Sequence, residues 1–379
     1  MVICYFSAQY LPTVGGVERY TWNLARRTVA AGHRAIVVTS ALPGLPEREV
    51  DADGIEIFRL PVWPVMQGRF PVLRPGAALR RAARELWQIP IDLCVIQTRM
   101  YTQSVWAALA ARKRRIPSIV IDHSTGYMPV GGGLVGLCGR LYEHLACTLI
   151  RSTHPAFYGV SAAVTRWLRT FGITAAGCLP NAVDPTALQA MAEDSPKDWR
   201  AACKISSEAR LVAYVGRLIP EKGAAELAEA VAGMPGAALV IAGDGPLLDT
   251  LRRNAAPNVF CPGSVPYPET VQLLAQADVY CLPTRYAEGF PTTLLEAAAC
   301  RCPIVCTPTA GTEELLPGPE YGVLLRDAGP AGIRAGLQQM LEHPETAHSC
   351  ADRTYRNLCA HFTWDAVFDK IIEIAKSTG

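Results

Sequence analysis

Glu288 and Glu296 flank seven residues, Gly289-Phe290-Pro291-Thr292-Thr293-Leu294-Leu295, across a predicted loop-to-helix junction. Upstream, Leu211 to Gly216 reads as a buried strand that runs into Arg217-Leu218-Ile219-Pro220-Glu221-Lys222-Gly223. The Arg217 guanidinium can grip a phosphate through two bonds, and Lys222 adds a compact point charge. Carboxylates, by contrast, accept from hydroxyls. Two cations at a strand end and two carboxylates at a helix start together complement a nucleotide-sugar, with the diphosphate on the cations and the hydroxyls on the carboxylates.

Each half of this constellation has a plainer reading. Arg217 and Lys222 can be the solvated charges of a loop, and the G-x-x-x-x-G-K-[ST] spacing of a Walker loop is absent. Thr293-Leu294-Leu295-Glu296 fits a capping box, which makes Glu296 a structural residue that reaches back to the helix start. Capping leaves Glu288 and Gly289-Phe290-Pro291 without a purpose. There, glycine permits close backbone approach and proline suits a helix start. Amides of Thr292 and Thr293 at that start would face a phosphate.

The elements that must hold these residues alternate along the chain. Val2–Phe6, Ala35–Thr39, Ile55–Leu60, Leu93–Ile96, Ser118–Ile121 and Ala156–Val160 are short apolar runs without polar alternation, the pattern of parallel strands covered on both faces. Helical stretches at Val17–Ala31, Thr102–Arg112, Leu137–Ile150 and Ser161–Thr170 separate several of them. After Pro180-Asn181-Ala182-Val183-Asp184-Pro185 the rhythm restarts. Strands are predicted at Leu211–Val215, Ala238–Ala242, Val259–Cys261, Val279–Leu282, Ile304–Cys306 and Gly322–Leu325, with helices near 224–232, 246–254, 268–276 and 293–300. Past Gly329 the pattern is wholly helical. The class is α/β, as two Rossmann-like domains in tandem.

The pair of motifs in this register resembles the donor site of retaining glycosyltransferases of family 4, which have the GT-B fold. The resemblance covers nearly the whole chain, although its specific motifs lie mostly after residue 180. It implies two Rossmann-like domains facing a cleft: an acceptor-binding domain at 1–180, a nucleotide-sugar domain at 181–360, and a terminal helix at 361–379 that crosses back to the first domain. By resemblance, Glu296 accepts from the ribose hydroxyls and Glu288 from the donor sugar, with Gly289, Phe290, Pro291 and Thr292 lining the same site. Gly15-Gly16, before a predicted helix, matches a glycine pair whose backbone approaches the diphosphate; a plain loop glycine is the alternative. His123, just past a strand, matches an active-site histidine near the reacting sugar, against the alternative of a core histidine. Asn181 falls in a P-N-A-V-D stretch where the family has P-N-G-V-D, and Val265 falls where the family's backbone reads the nucleobase edge. Gly243-Asp244-Gly245-Pro246 matches a structural turn.

Composition narrows the remaining classes. Of 379 residues, half are apolar and 18% charged, which places the chain among globular proteins. Thirteen scattered cysteines without a CxxC pair suit a reducing cytoplasm, and Cys300, Cys302 and Cys306 read as small buried residues. No N-x-S/T sequon or basic signal-peptide start is present, and the charge-free run Ser124 to Gly139 is too short and glycine-rich to span a bilayer. Residues 1–180 hold 20 Lys and Arg against 10 Asp and Glu, a net +10, whereas the remainder holds 16 against 24, a net −8. This asymmetry, with basic clusters at Arg80-Arg81-Arg84 and Arg112-Lys113-Arg114-Arg115, predicts an anionic membrane surface as a partner of the first domain. Leu79, Ala82, Ala83, Leu86 and Trp87 are expected to form the apolar side of that lipid-facing helix, with Ser124–Gly139 as a mobile apolar lip over the acceptor.

The chemistry implied is transfer of a sugar from a UDP-, GDP- or ADP-sugar to a hydroxyl of a glycan or lipid-linked acceptor, with the anomeric configuration kept. Arg217, Lys222, Glu288 and His123 would carry it, with no metal, no further cofactor and no nucleic acid. Asp51-Ala52-Asp53 runs into Gly54 and reads as a turn rather than a metal motif. The rivals are a GT-B-fold nucleotide-sugar epimerase and a non-catalytic nucleotide-sugar-binding regulator. A glycoside hydrolase needs no diphosphate clamp. The expected location is the cytoplasm, at the inner face of the cell membrane.

Overall fold

The structure is a computed structural model describing residues 1–13, 15–128, 131, 133–194, 196–286 and 289–378. The chain divides into two compact units, Met1–Asn181 with Trp364–Gly379, and Ala182–Thr363. In the first unit the strands are β1 (Val2–Phe6), β2 (Arg34–Ser40), β3 (Arg48–Val50), β4 (Glu56–Leu60), β5 (Val62–Val65), β6 (Phe70–Leu73), β7 (Leu93–Gln97), β8 (Ser118–Asp122), β9 (Ala156–Gly159) and β10 (Gly177–Cys178). All but β5 and β6 form one sheet of order β10-β9-β8-β7-β1-β2-β4-β3. Its neighbours are parallel except for the antiparallel edge strand β3. Residues 3–6 of β1 and all of β7 are buried, as a sheet covered on both faces requires. β5 and β6 pair as a separate hairpin.

The crossovers are α1 (Gly16–Ala30), α2 (Ala77–Leu86), α3 (Thr102–Arg114), α4 (Gly133–Arg151) and α5 (Ala162–Leu168). Ser161 caps α5 by accepting from the Val164 amide at 3.3 Å. α2 corrects one expectation. Its apolar side is spent on the protein's own core: Leu86 is buried, while Leu79, Ala82 and Trp87 pack against the same cluster. Trp87 stacks on Phe6 at 5.9 Å, so this side is not available to a lipid surface. The Ser124–Gly139 segment differs as well, because Gly133 to Gly139 belong to α4; residues 129, 130 and 132 lie outside the described residues.

The second unit contains α6 (Pro185–Glu193), α7 (Trp199–Ala202), α8 (Ala224–Ala232), α9 (Leu248–Arg253), α10 (Tyr267–Gln276), α11 (Thr292–Ala299), α12 (Thr312–Leu315), α13 (Pro330–Leu341) and α14 (Pro344–His361). They surround the parallel strands β11 (Arg210–Val215), β12 (Ala237–Ala242), β13 (Val259–Gly263), β14 (Val279–Leu282), β15 (Ile304–Cys306) and β16 (Val323–Leu324), in the order β13-β12-β11-β14-β15-β16. The order turns about between β11 and β14, and in the first unit between β1 and β7. In open parallel sheets the crevice for a ligand lies at such a reversal, outside the carboxyl ends of the strands. Asp184 caps α6 by accepting from the Ala187 amide at 3.0 Å, with Pro185 at the first helical position.

The last helix, α15 (Trp364–Thr378), belongs to the first unit and packs along α1. Trp364 meets Tyr20 edge to face at 5.4 Å, and Arg27 pairs with Asp365 at 2.8 Å.

Candidate active site

Arg217 and Lys222 stand at the carboxyl end of β11, on one side of the reversal in the second unit. The loop after β14 supplies the other side. Tyr286 of that loop lies under both cations, 5.1 Å from the Arg217 guanidinium carbon and 5.6 Å from Lys222 Nζ. Backbone bonds hold the two loops together: the Arg285 amide donates to Glu221 O at 2.7 Å, and Thr284 Oγ1 donates to the same carbonyl at 3.4 Å. Gly223 is required here. It has φ of 75°, and a Cβ on it would lie 2.4 Å from Pro283 O. Lys222 is buried, and that burial, with the Arg217 charge second, lowers its pKa to about 8. An anion between these cations relieves both penalties.

The start of α11 is fixed to the same strand end. Tyr280, in β14, places its hydroxyl 2.8 Å from Thr293 Oγ1 and 3.3 Å from Val215 O, the last carbonyl of β11. Pro291 is the N-cap and has no side-chain cap bond, so the third helical position is Leu294. Glu296 therefore lies two residues too deep for a capping box, which removes that reading of this carboxylate. Glu296 is buried and accepts from the Tyr267 hydroxyl at 3.1 Å. Thr292 is exposed, whereas Pro291 is buried. The Phe290 ring is buried against Phe362, 5.4 Å away edge to face, so a ligand would meet Phe290 through its backbone. Gly289 precedes it in the same loop. Glu288 lies outside the described residues.

Val265 follows β13 and packs half-buried against the core of this unit. The Gly243-Asp244-Gly245-Pro246 turn is structural, as expected: Gly243 has φ of 153°, and a Cβ there would sit 1.9 Å from Gly216 O. Leu218 donates its amide to Asp244 O at 2.8 Å, which ties this turn to the Arg217 loop.

In the first unit, Gly15 and Gly16 open α1, and His123 follows β8. Tyr20 joins them. Its ring meets His123 edge to face at 4.9 Å, and its hydroxyl donates to Leu179 O at 3.0 Å, two residues before Asn181. His123 Nε2 is 2.8 Å from Gln97 Oε1, at the end of β7. Burial depresses the His123 pKa to about 3, so the imidazole is neutral at physiological pH. Ala182, in place of the family's glycine, is accommodated: it is buried and is not among the described non-glycine residues with positive φ. Asp51 is confirmed as a turn residue, with Oδ1 accepting from the amides of Asp53 and Ile55 at 3.0 and 2.9 Å.

With this geometry in place, comparison with known proteins is decisive. The family described as Glycosyltransferase Family 4 matches residues 14–187, and that described as Glycosyl transferases group 1 matches residues 196–357. The chain is a glycosyltransferase of the family 4 type. An uncharacterized glycosyltransferase of Methanocaldococcus jannaschii is 19% identical, covering 95% of this chain and 94% of that protein. The glycogen synthase of Mycobacterium tuberculosis is 24% identical, with 97% and 92% covered. Among solved structures, Anabaena HepE in complex with UDP superposes with a TM-score of 0.76 at 18% identity, covering 100% of both chains. Sucrose-phosphate synthase of Thermosynechococcus elongatus gives 0.72 at 19%, covering 99% and 98%. The fold is GT-B. These descriptions are of transferases and give the epimerase and non-catalytic readings no support.

Several side chains that position the candidate residues leave no motif in the sequence. Tyr280, Tyr286 and Tyr267 organise the second unit's loops, and Tyr20 and Gln97 hold His123. The first unit also has a cavity of about 270 Å³ beyond β1 and β2, lined by Gln9, Tyr10, Thr13, Gln67 and Arg69 among others. The buried Tyr10 hydroxyl there has no partner, a polar atom left for a ligand to satisfy. The lining residues mix polar and apolar types without a pattern in sequence, so only the fold reveals them as a group.

Proposed function

We propose that this glycosyltransferase moves a sugar from a nucleoside-diphosphate sugar to a hydroxyl of a glycan or lipid-linked acceptor, keeping the anomeric configuration and using no metal. The observation that carries the reading is the convergence of Arg217 and Lys222 over Tyr286 at the sheet reversal, with the first turn of α11 tied to the same strand end by Tyr280. Solved neighbours in complex with UDP, and one bound to ADP and acarbose, support a nucleoside diphosphate as the leaving group.

As the glycosidic bond to the donor breaks, negative charge grows on the diphosphate. Arg217, Lys222 and the amides at the start of α11 are placed to stabilise that charge, a preorganised set that takes the part a metal has elsewhere. Glu296, with Tyr267 on one oxygen, accepts from ribose hydroxyls, and Glu288 from the donor sugar. Val265 borders the base. His123, held neutral, contacts the sugar or leaving group and does not donate a proton from an imidazolium. The Tyr10 cavity is the acceptor's entry. The protein works in the cytoplasm at the inner face of the cell membrane.

The test is donor consumption measured with UDP-, GDP- and ADP-sugars, with and without a glycan or lipid extract. Acceptor-dependent release of one nucleoside diphosphate is expected. Release of a rearranged nucleotide-sugar without acceptor, or no consumption of any of the three classes, overturns the reading.

A further inference from the structure

α4 carries an apolar stripe that the fold does not use. Glu143, Ala146, Cys147 and Ile150 form its buried side. On another side Leu134, Leu141, Leu145 and Leu149 are exposed, the first at 81%, the next two at 61% and 59%. Their spacings of seven, four and four residues put them in one line along the helix. At 1.5 Å per residue the line is about 22 Å long. Val135 and Leu137 widen it at the amino-terminal end, at 62% and 53% exposure. Single exposed leucines are ordinary, but a contiguous row of this length marks a contact surface.

Charge indicates what covers it. Residues 100–180 contain eight Lys and Arg and two acids, Asp122 and Glu143. Both acids are buried, held by Arg99 at 2.5 and 2.8 Å. The surface that this stretch shows to solvent is therefore basic without acidic relief. Arg140 lies on α4 itself, and α3, packed beside α4, exposes Leu109, Arg112 and Lys113 on one side. A second copy docking by the same face would set these cations against their own kind. An anionic bilayer surface complements both features, taking the leucines at the acyl boundary and the cations at its headgroups.

We infer that α4, and not α2, docks this enzyme on anionic lipid. This deepens the lipid-linked acceptor reading and rests on it. The Arg99 clamp gives the contact a consequence, because Glu143 belongs to α4 and Asp122 ends β8, one residue before His123. The Met128 amide donates to the other Glu143 oxygen at 2.6 Å, so the intervening loop is held by the same carboxylate. A bilayer seated on α4 thus lies along the element that is clamped to the His123 strand end.

The experiment is co-sedimentation of the full chain with vesicles of phosphatidylglycerol and phosphatidylcholine in equal parts, and with phosphatidylcholine alone, at low and high salt. The comparison variant is Leu141→Ser/Leu145→Ser, whose sites are exposed, so its urea midpoint should match the parent's. The parent should bind the anionic vesicles at least tenfold more tightly than the neutral ones, lose that preference in high salt, and bind at least tenfold more tightly than the variant. Equal binding by parent and variant, equal binding to the two vesicle types, or no binding at all overturns the inference. So does a parent dimer that the variant dissolves, because the second copy is then the occupant. A thermal shift of the parent by UDP, GDP or ADP is read separately; its absence counts against the donor site and leaves the docking result standing.

Discussion

The Tyr280 hydroxyl lies 2.8 Å from Thr293 Oγ1 and 3.3 Å from the carbonyl of Val215. One oxygen thus couples the first turn of α11 to the end of β11, and with it the two motifs that are more than 60 residues apart in sequence. Phenylalanine fits the same space without the bridge. Tyr280→Phe should lower stability by about 1–2 kcal/mol and weaken nucleoside-diphosphate binding several-fold, since a buried oxygen is left unpaired. Urea unfolding and calorimetric titration check both, and unchanged nucleotide affinity would mean that α11 does not touch the ligand.

Lys222 should make nucleoside-diphosphate binding depend on pH. Its pKa of about 8 is depressed by burial and by Arg217, so it loses its proton as pH rises through 8. A bound diphosphate favours the protonated form and raises that pKa. Between pH 7.5 and 9 the diphosphate is fully ionised, and affinity should fall roughly eightfold as the charged fraction of Lys222 declines. Binding near pH 8 should also take up protons. Lys222→Met should bind weakly and without this slope; a parent whose affinity is flat over the range has no such lysine at its phosphate.

His123 predicts a different signature. Its folded pKa of about 3 lies below the ordinary value near 6.5, so acid protonates the unfolded chain first. The resulting stability is present above pH 6.5 and is lost as pH falls towards 3. Between pH 7 and pH 5 the parent should lose on the order of 1–2 kcal/mol from this group. His123→Gln should have a shallower acid limb by that amount, together with slower transfer and nearly unchanged nucleoside-diphosphate affinity. A solvated histidine, by contrast, would leave the limb the same in both proteins.

Much of this was legible in the chain because parallel strands buried on both faces are continuous apolar runs. Val2–Phe6, Val279–Leu282 and Ile304–Cys306 coincide with the reading, and the other predicted strands differ by a residue or two at their ends. β3, β10 and the β5–β6 hairpin escaped. β5 and β6 carry prolines and are partly exposed, β10 is two residues long, and β3 is a polar edge strand. Gly216-Arg217, Lys222 and Glu296 were visible as a spaced motif. The aromatic residues that set their geometry were not, because their partners are chosen by sheet order: β14 lies beside β11 although β12 and β13 intervene in sequence. That the apolar side of α2 is already covered was illegible for the opposite reason. Arginines and leucines at helical spacing describe α2 and α4 alike, and only the packing tells which apolar side is already covered.

The central claim is that the carboxyl end of β11 and the start of α11 bind a nucleoside diphosphate. Titration calorimetry of UDP, GDP and ADP against the parent, Arg217→Ala and Glu296→Ala tests it most directly. One nucleotide should bind the parent. Loss of a charge-assisted bond costs about 1.5–3 kcal/mol, so each variant should bind it at least tenfold more weakly while unfolding at a urea midpoint near the parent's. Equal affinity in all three proteins would contradict the account.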